Sequence, residues 1–365
     1  MTLIDEITIK RKDIHADSYD MSVGEIINMY RDGDLDIHPE FQRFFRWTDT
    51  QKTRLIESLL LNIPIPPVFV SQRPDGVWDV VDGLQRLSSI FQFVGICRDE
   101  NDKEMPPLIL EGTKLLPNLK GKKYNDEDAK VSFTSAEQRY LKRAKISFNI
   151  LLTESDQSSK YELFQRLNTG GTSLTDQEVR NCLMVMTNPE IFRRLSELSH
   201  NEDFVNATRL SDKQKEERYD MELITRFICL RHSTAEEIKV VADLGDFLSD
   251  KVVSLFNESD VDWNEEVNVF NQTFKIISDS LDEDAFCKYV VEKGCFRGGF
   301  NIGAFEMIAV GLGRKDGVLP NNFDFKEKVK GLWRKISEDQ ISWGGNSASG
   351  RLGKTLELGK ALYEN

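Results

Sequence analysis

Apolar and polar positions along the chain alternate in two different periods, and the change of period divides it. Ser22 followed by Val23, Ile26, Ile27 and Tyr30 predicts a capped helix, ended by Arg31-Asp32-Gly33-Asp34. Thr48 and Gln51 form a capping box ahead of a stripe of Leu55, Ile56, Leu59 and Leu60. Two short apolar runs, Val68 to Val70 and Val77 to Val81, flank Pro74-Asp75-Gly76 and predict a hairpin. A helix with Leu87, Ile90, Phe91 and Val94 follows the second run. Leu108 to Leu110 predicts one more strand, Ser135 to Arg143 a helix, and Ala144 to Leu152 a strand entering the core. From residue 156 onward the period is helical: Asn168-Thr169-Gly170-Gly171 reads as a helix stop, and Thr175 with Glu178 as a second capping box. Later periods run over Tyr219 to Leu230, Ala235 to Phe256, Trp263 to Leu281, Ile302 to Leu312, Phe325 to Ile336 and Leu352 to Tyr363. The expectation is an α+β protein: a small mixed sheet with helices over 1–155, then an all-α helical domain over 156–365.

The junction Val80-Val81-Asp82-Gly83-Leu84-Gln85-Arg86-Leu87 carries the clearest chemistry. A strand that turns through Asp-Gly into a helix leaves backbone N–H donors at the positive end of a helix dipole, which favours an anion. Gly83 permits a tight turn and the close approach of a ligand. Arg86 adds a planar fork suited to phosphate. No GxxxxGK[ST] occurs, so this is not a P-loop. The plainer reading of the same residues is an Asp82 N-cap with Arg86 on the surface.

Three segments together resemble one family: "IHPEFQRFFRW" from Ile37, "LIESLLLNIPIPPVFV" from Leu55 and "VVDGLQRLSSIFQF" from Val80. A fourth, Phe164 to Thr175 ("FQRLNTGGTSLT") with Glu178, Arg180 and Asn181, extends the likeness. The chain resembles the N-terminal, GmrS-type domain of the GmrSD restriction enzymes, a domain similar to the ParB/sulfiredoxin superfamily, over roughly residues 20 to 185. The resemblance implies nucleoside triphosphate binding with Mg²⁺, often hydrolysis, in bacterial defence against foreign DNA. It points to Gln42, Arg43, Asp82, Gly83, Gln85, Arg86 and Asn168. Arg43, Gly83, Arg86 and Asn168 would hold the nucleotide. Asp82 would carry Mg²⁺ or orient the attacking water, and Gln42 or Gln85 would position that water. The family reads Asp-Gly-Gln-Gln-Arg where this chain has Leu84. If that Gln touches nucleotide, Leu84 weakens hydrolysis; if it packs the first turn, Leu84 changes little.

Composition narrows the partners. A chain of 365 residues with 39% hydrophobic residues can bury a substantial core and fits two domains or one large composite one. With 61 acids against 48 bases its formal charge is −13, which excludes a generally basic surface for coating nucleic acid. Arg43, Arg46, Arg54 and Arg86 are candidates to converge on one cleft. The clusters Lys120, Lys122, Lys123 and Arg139, Lys142, Arg143, Lys145 read by themselves as solvated charge. No apolar run approaches the roughly 20 residues a spanning helix needs, and the first residues lack the layout of a secretion signal, so a cytoplasmic protein is expected. Five cysteines, an odd number without a C-x-x-C pair, predict buried free thiols. The histidines are scattered; His38 alone lies near the suspected site, and no H-N-H cluster is visible. The Gly- and Ser-rich loops at Trp343 to Arg351 and Arg297 to Gly299 read as connectors.

Three functions follow in order: a nucleoside triphosphate switch; a regulatory partner or DNA sensor for a separately encoded nuclease; and a ParB-like nuclease. The partners expected are a nucleotide, a nuclease from a neighbouring gene, foreign or modified DNA, and a second copy of the chain. The last function is disfavoured because Asp79 and Asp82 fall on a strand and at a turn, not as a paired set.

Overall fold

The computed structural model describes residues 4, 16–37, 47–99, 103–152, 175–342 and 348–364. The chain divides into two compact units, residues 1–173 and 174–365. The expected boundary at 155 falls outside the described residues.

The first unit is built on β1 (Ala16–Ser22), α1 (Val23–Asp32), β2 (Leu35–Asp36), α2 (Asp49–Leu60), β3 (Val68–Gln72), β4 (Trp78–Asp82), α3 (Leu84–Val94), α4 (Ser135–Arg143) and β5 (Lys145–Leu151). The strands form one mixed sheet in the order β1-β5-β3-β4-β2. β5 pairs antiparallel with β1 and parallel with β3, while β3 and β4 form the antiparallel hairpin around Gly76. β5 alternates strictly at its start, with Ile146 and Phe148 buried and Lys145 and Ser147 exposed. One sheet face is thus covered, and the apolar stripes of α1, α2 and α3 are part of the same core.

Local chemistry sets most boundaries. Ser22 accepts from the Glu25 amide and Gly33 closes α1 in a left-handed C-cap. The Thr48–Gln51 and Thr134–Glu137 capping boxes both form. The strand expected at Leu108–Leu110 is absent. Leu108 and Leu110 are buried and Ile109 is exposed, as alternation requires. However, their amides bond Gln92 O and Lys122 O in loops and helix ends, so no ladder forms.

The second unit is helical: α5 (Asp176–Thr187), α6 (Pro189–Leu198), α7 (Glu202–Thr208), α8 (Asp212–Glu216), α9 (Tyr219–Arg231), α10 (Ala235–Lys239), α11 (Leu244–Asn257) and α12 (Trp263–Leu281). The hairpin β6 (Lys288–Val290) and β7 (Cys295–Arg297) follows. Then come α13 (Ile302–Phe305), a π-helical turn Glu306–Val310, α14 (Gly311–Gly313), α15 (Phe325–Glu338) and α16 (Ala348–Tyr363). The unit is helical as expected, apart from this hairpin, whose three-residue strands are too short to show a period. The helix expected over Ala235 to Phe256 is two. Asp243 accepts from the Asp246 amide and starts a new helix just after the β-branched pair Val240-Val241. Among the described residues no helix is long and apolar enough to cross a membrane.

All five cysteines are free, but only Cys97, Cys182 and Cys229 are buried; Cys287 and Cys295 are partly exposed. Burial pushes the Cys97 and Cys229 thiols up to about 12. At pH 8 a thiol reagent is therefore expected to modify two cysteines of the native chain, and the other three only in denaturant. Mass spectrometry of the labelled chain checks this; rapid labelling at Cys97 or Cys229 would refute it.

Candidate functional site

The β4–α3 junction is shaped by one glycine. Gly83 has φ +109°, a region disfavoured for other residues, and is the N-cap of α3. A Cβ there would lie 2.8 Å from Val68 Cγ2. The close approach that Gly83 permits is thus to Val68 on β3. No side chain caps the start of α3. The Asp82 N-cap reading is corrected: Asp82 is the last residue of β4, still paired with Phe69, and its carboxylate points one turn along to Arg86.

Arg86 is buried, which corrects its reading as a surface residue. Its Nη1 donates to the carbonyls of Pro66 and Pro67, the latter at 3.0 Å, and its Nη2 donates to Asp82 Oδ2 at 2.7 Å. A single guanidinium thereby ties the Pro-rich approach to β3 onto the junction. The Asp82 side chain is 45% exposed, so its carboxylate borders solvent while bound to Arg86. Leu84 is buried in the core, so this position packs the first turn of α3. Gln85 Oε1 accepts from the Trp47 amide at 3.4 Å, joining the last residue of the "IHPEFQRFFRW" segment to the "DGLQR" turn.

The structure therefore brings Asp82, Gly83, Gln85 and Arg86 together. Gln42, Arg43, Arg46, His38 and Asn168 lie outside the described residues. Arg54 is exposed on α2. Sequence reasoning missed Pro66, Pro67 and Val68. The one available signal was the Pro-Pro pair, which puts acceptors without backbone N–H donors ahead of β3.

Among the described residues no group of three or more His, Cys, Asp or Glu could hold a metal. Asp82 is the acid of the junction that fits Mg²⁺, an ion often bound by one or two carboxylates plus phosphates and water. Asp79 is committed elsewhere. Its carboxylate holds Arg73 at 2.5 Å, and Arg73 also reaches Asp36 at 2.8 Å. Burial alone would lower the Arg73 pKa, but Asp79 and Asp36 outweigh it and raise it. Asp79 and Asp82 thus serve different arginines and make no paired-carboxylate centre. A cavity of about 470 Å³ lies at the other end of α3, lined by Arg31, Asp36, Gly95, Arg98 and Glu104. A helix of this length puts that cavity about 16 Å from the junction.

A small mixed sheet whose hairpin strand turns through Asp-Gly into an uncapped helix defines the class: a mixed α+β domain with a strand–turn–helix site. Residues 23–185 match the N-terminal domain family of the GmrSD restriction endonucleases. That segment, a little under half of the chain, is similar to GmrSD-type N-terminal domains. The match takes in the whole β4–α3 junction and runs into α5. Neither curated proteins nor solved structures yield a match.

Proposed function

We propose that this chain is a nucleoside triphosphate-binding switch of a restriction system, with its phosphates at the β4–α3 junction. The observation that carries the proposal is the start of α3: a left-handed glycine, no side-chain cap, and Asp82 and Arg86 on either side. Helix-start amides and the dipole favour the phosphate charge, and Arg86 adds a cation. Mg²⁺, when bound, would neutralise phosphate charge, with Asp82 as its protein ligand. Gln85, on the first turn of α3, would orient a water. The family resemblance adds Gln42, Arg43 and Asn168 to this set.

Calorimetry with the four nucleoside triphosphates and Mg²⁺ tests it, comparing wild type with Asp82→Asn. The variant keeps an acceptor for Arg86 and loses the charge that attracts the ion. Its binding should weaken about tenfold, near 1.4 kcal/mol, with Mg²⁺ and stay unchanged in EDTA. No binding to wild type would overturn the switch.

A second reading draws on Arg86 itself. Both its Nη groups are already satisfied by protein, as in a purely structural arginine. That arrangement favours a non-catalytic regulatory partner acting on a separately encoded nuclease, with foreign or modified DNA as the shared target. Co-purification with the product of a neighbouring nuclease gene would support it.

A further inference from the structure

We propose that the solvent face of α4, together with the cleft between α1 and α4, docks the phosphodiester backbone of duplex DNA. Arg139, Tyr140, Lys142 and Arg143 are all exposed, while Leu141 is buried on the other side of the helix. At 100° per residue the four exposed positions share one face. None of these three cations has an ion-pair partner among the described residues.

Charge in this region opposes that of the chain. Positions 114 to 145 hold nine Lys and Arg against four Asp and Glu, in a protein of net charge −13. Two of the four acids are committed locally. Asp126 is bound to Lys123 at 2.7 Å, and Glu137 accepts from the Thr134 amide in its capping box. The lysine bond to Asp126 also holds its carboxyl below the usual range.

The cleft supplies an independent observation. It has a volume of about 340 Å³ and is lined by Asn28, Arg31, Tyr124, Asn125, Gln138 and Lys142. Tyr124 is more than nine-tenths buried, and its hydroxyl has no hydrogen-bond partner among the described residues. Gln138 Nε2 donates to Tyr124 O at 2.9 Å and fixes that loop against α4. The two cations and three carboxamides that line it make the cleft a polar cradle for a phosphate, above the buried Tyr124 side chain. Lys142 belongs to both the cleft and the exposed face. A lipid surface would ask for an apolar stripe, and among the described residues Tyr140 alone is a large apolar side chain on the exposed face of α4.

This inference rests on the DNA-target part of the proposed reading and is separate from nucleotide binding at α3. The test is fluorescence anisotropy of a labelled 20-base-pair duplex with the full chain, titrated at several NaCl concentrations. Four phosphate contacts predict a slope of log K against log salt of about −3.6. The triple variant R139A/K142A/R143A should flatten that slope by about 2.7 and bind more than tenfold more weakly at low salt. Unchanged binding by Lys213→Ala/Lys215→Ala, and an unchanged melt of the triple variant, complete the expected result. If wild type binds and the triple variant binds equally well, the surface is wrong and the DNA reading stands. If wild type does not bind the duplex, or binds only phosphatidylserine vesicles, both fall.

Discussion

Replacing Glu306 by alanine is expected to destabilise the chain by about 3–5 kcal/mol, the range for removing one partner of a buried ion pair. Glu306 is fully buried on the π-helical turn and gathers three donors. Arg226 Nη1 lies at 2.9 Å, Arg351 Nη2 at 3.2 Å and Thr355 Oγ1 at 2.8 Å. Arg226 is also buried, and its other Nη reaches Glu222 at 2.6 Å. Burial alone would lower the Arg226 pKa, yet Glu222 and Glu306 outweigh it and raise it. Without Glu306 that guanidinium keeps its charge and loses half its compensation. The surrounding packing cannot relax to admit water, because α16 lies directly on the π turn. A Cβ at Gly359 would sit 2.6 Å from Met307 O, and the Tyr363 hydroxyl donates to Ile308 O. Urea unfolding should show the loss in the midpoint with the slope unchanged. The exposed Glu327→Ala should stay within about 0.5 kcal/mol of wild type. A loss below about 1 kcal/mol for Glu306→Ala would contradict this account of the network.

Arg86→Ala is expected to cost about 2–4 kcal/mol, through a different mechanism. The Pro66 and Pro67 carbonyls would lose their donor, at about 1–2 kcal/mol each, while the half-exposed Asp82 carboxylate turns to solvent at little cost. Arg86→Lys should recover only part of this, because a single ammonium cannot span a fork that reaches two carbonyls and a carboxylate. Thermal unfolding of both variants checks the order wild type, Lys, Ala. Equal stability of all three would show that the guanidinium does not hold the junction. Loss of nucleotide binding in Arg86→Ala therefore identifies a phosphate contact only when Arg86→Lys, with its fold retained, also loses affinity.

The two arginine systems show what was legible in the sequence. Helix starts were: Ser22, Thr48 and Thr175 each accept from the amide three residues on, so their capping is written locally. The sheet was legible through β5, where alternation of Ile146, Phe148 and Ile150 declares a buried face. The role of Arg86 was not. Its partners lie about twenty residues earlier, and only the folded hairpin brings Pro66 and Pro67 beneath α3. Glu306 was missed for the same reason, since its partners come from α9 and α16. A π turn within an apolar run also leaves no periodic signature. The hairpin β6–β7 is too short for any period to emerge.

The most direct test of the central claim is amide hydrogen exchange of the full chain, with and without saturating nucleoside triphosphate and Mg²⁺. A nucleotide held at the β4–α3 junction predicts slowed exchange at residues 83 to 87, and unchanged exchange at the far end of α3 around Gly95. Protection around Gly95 or elsewhere, with none at residues 83 to 87, would contradict it.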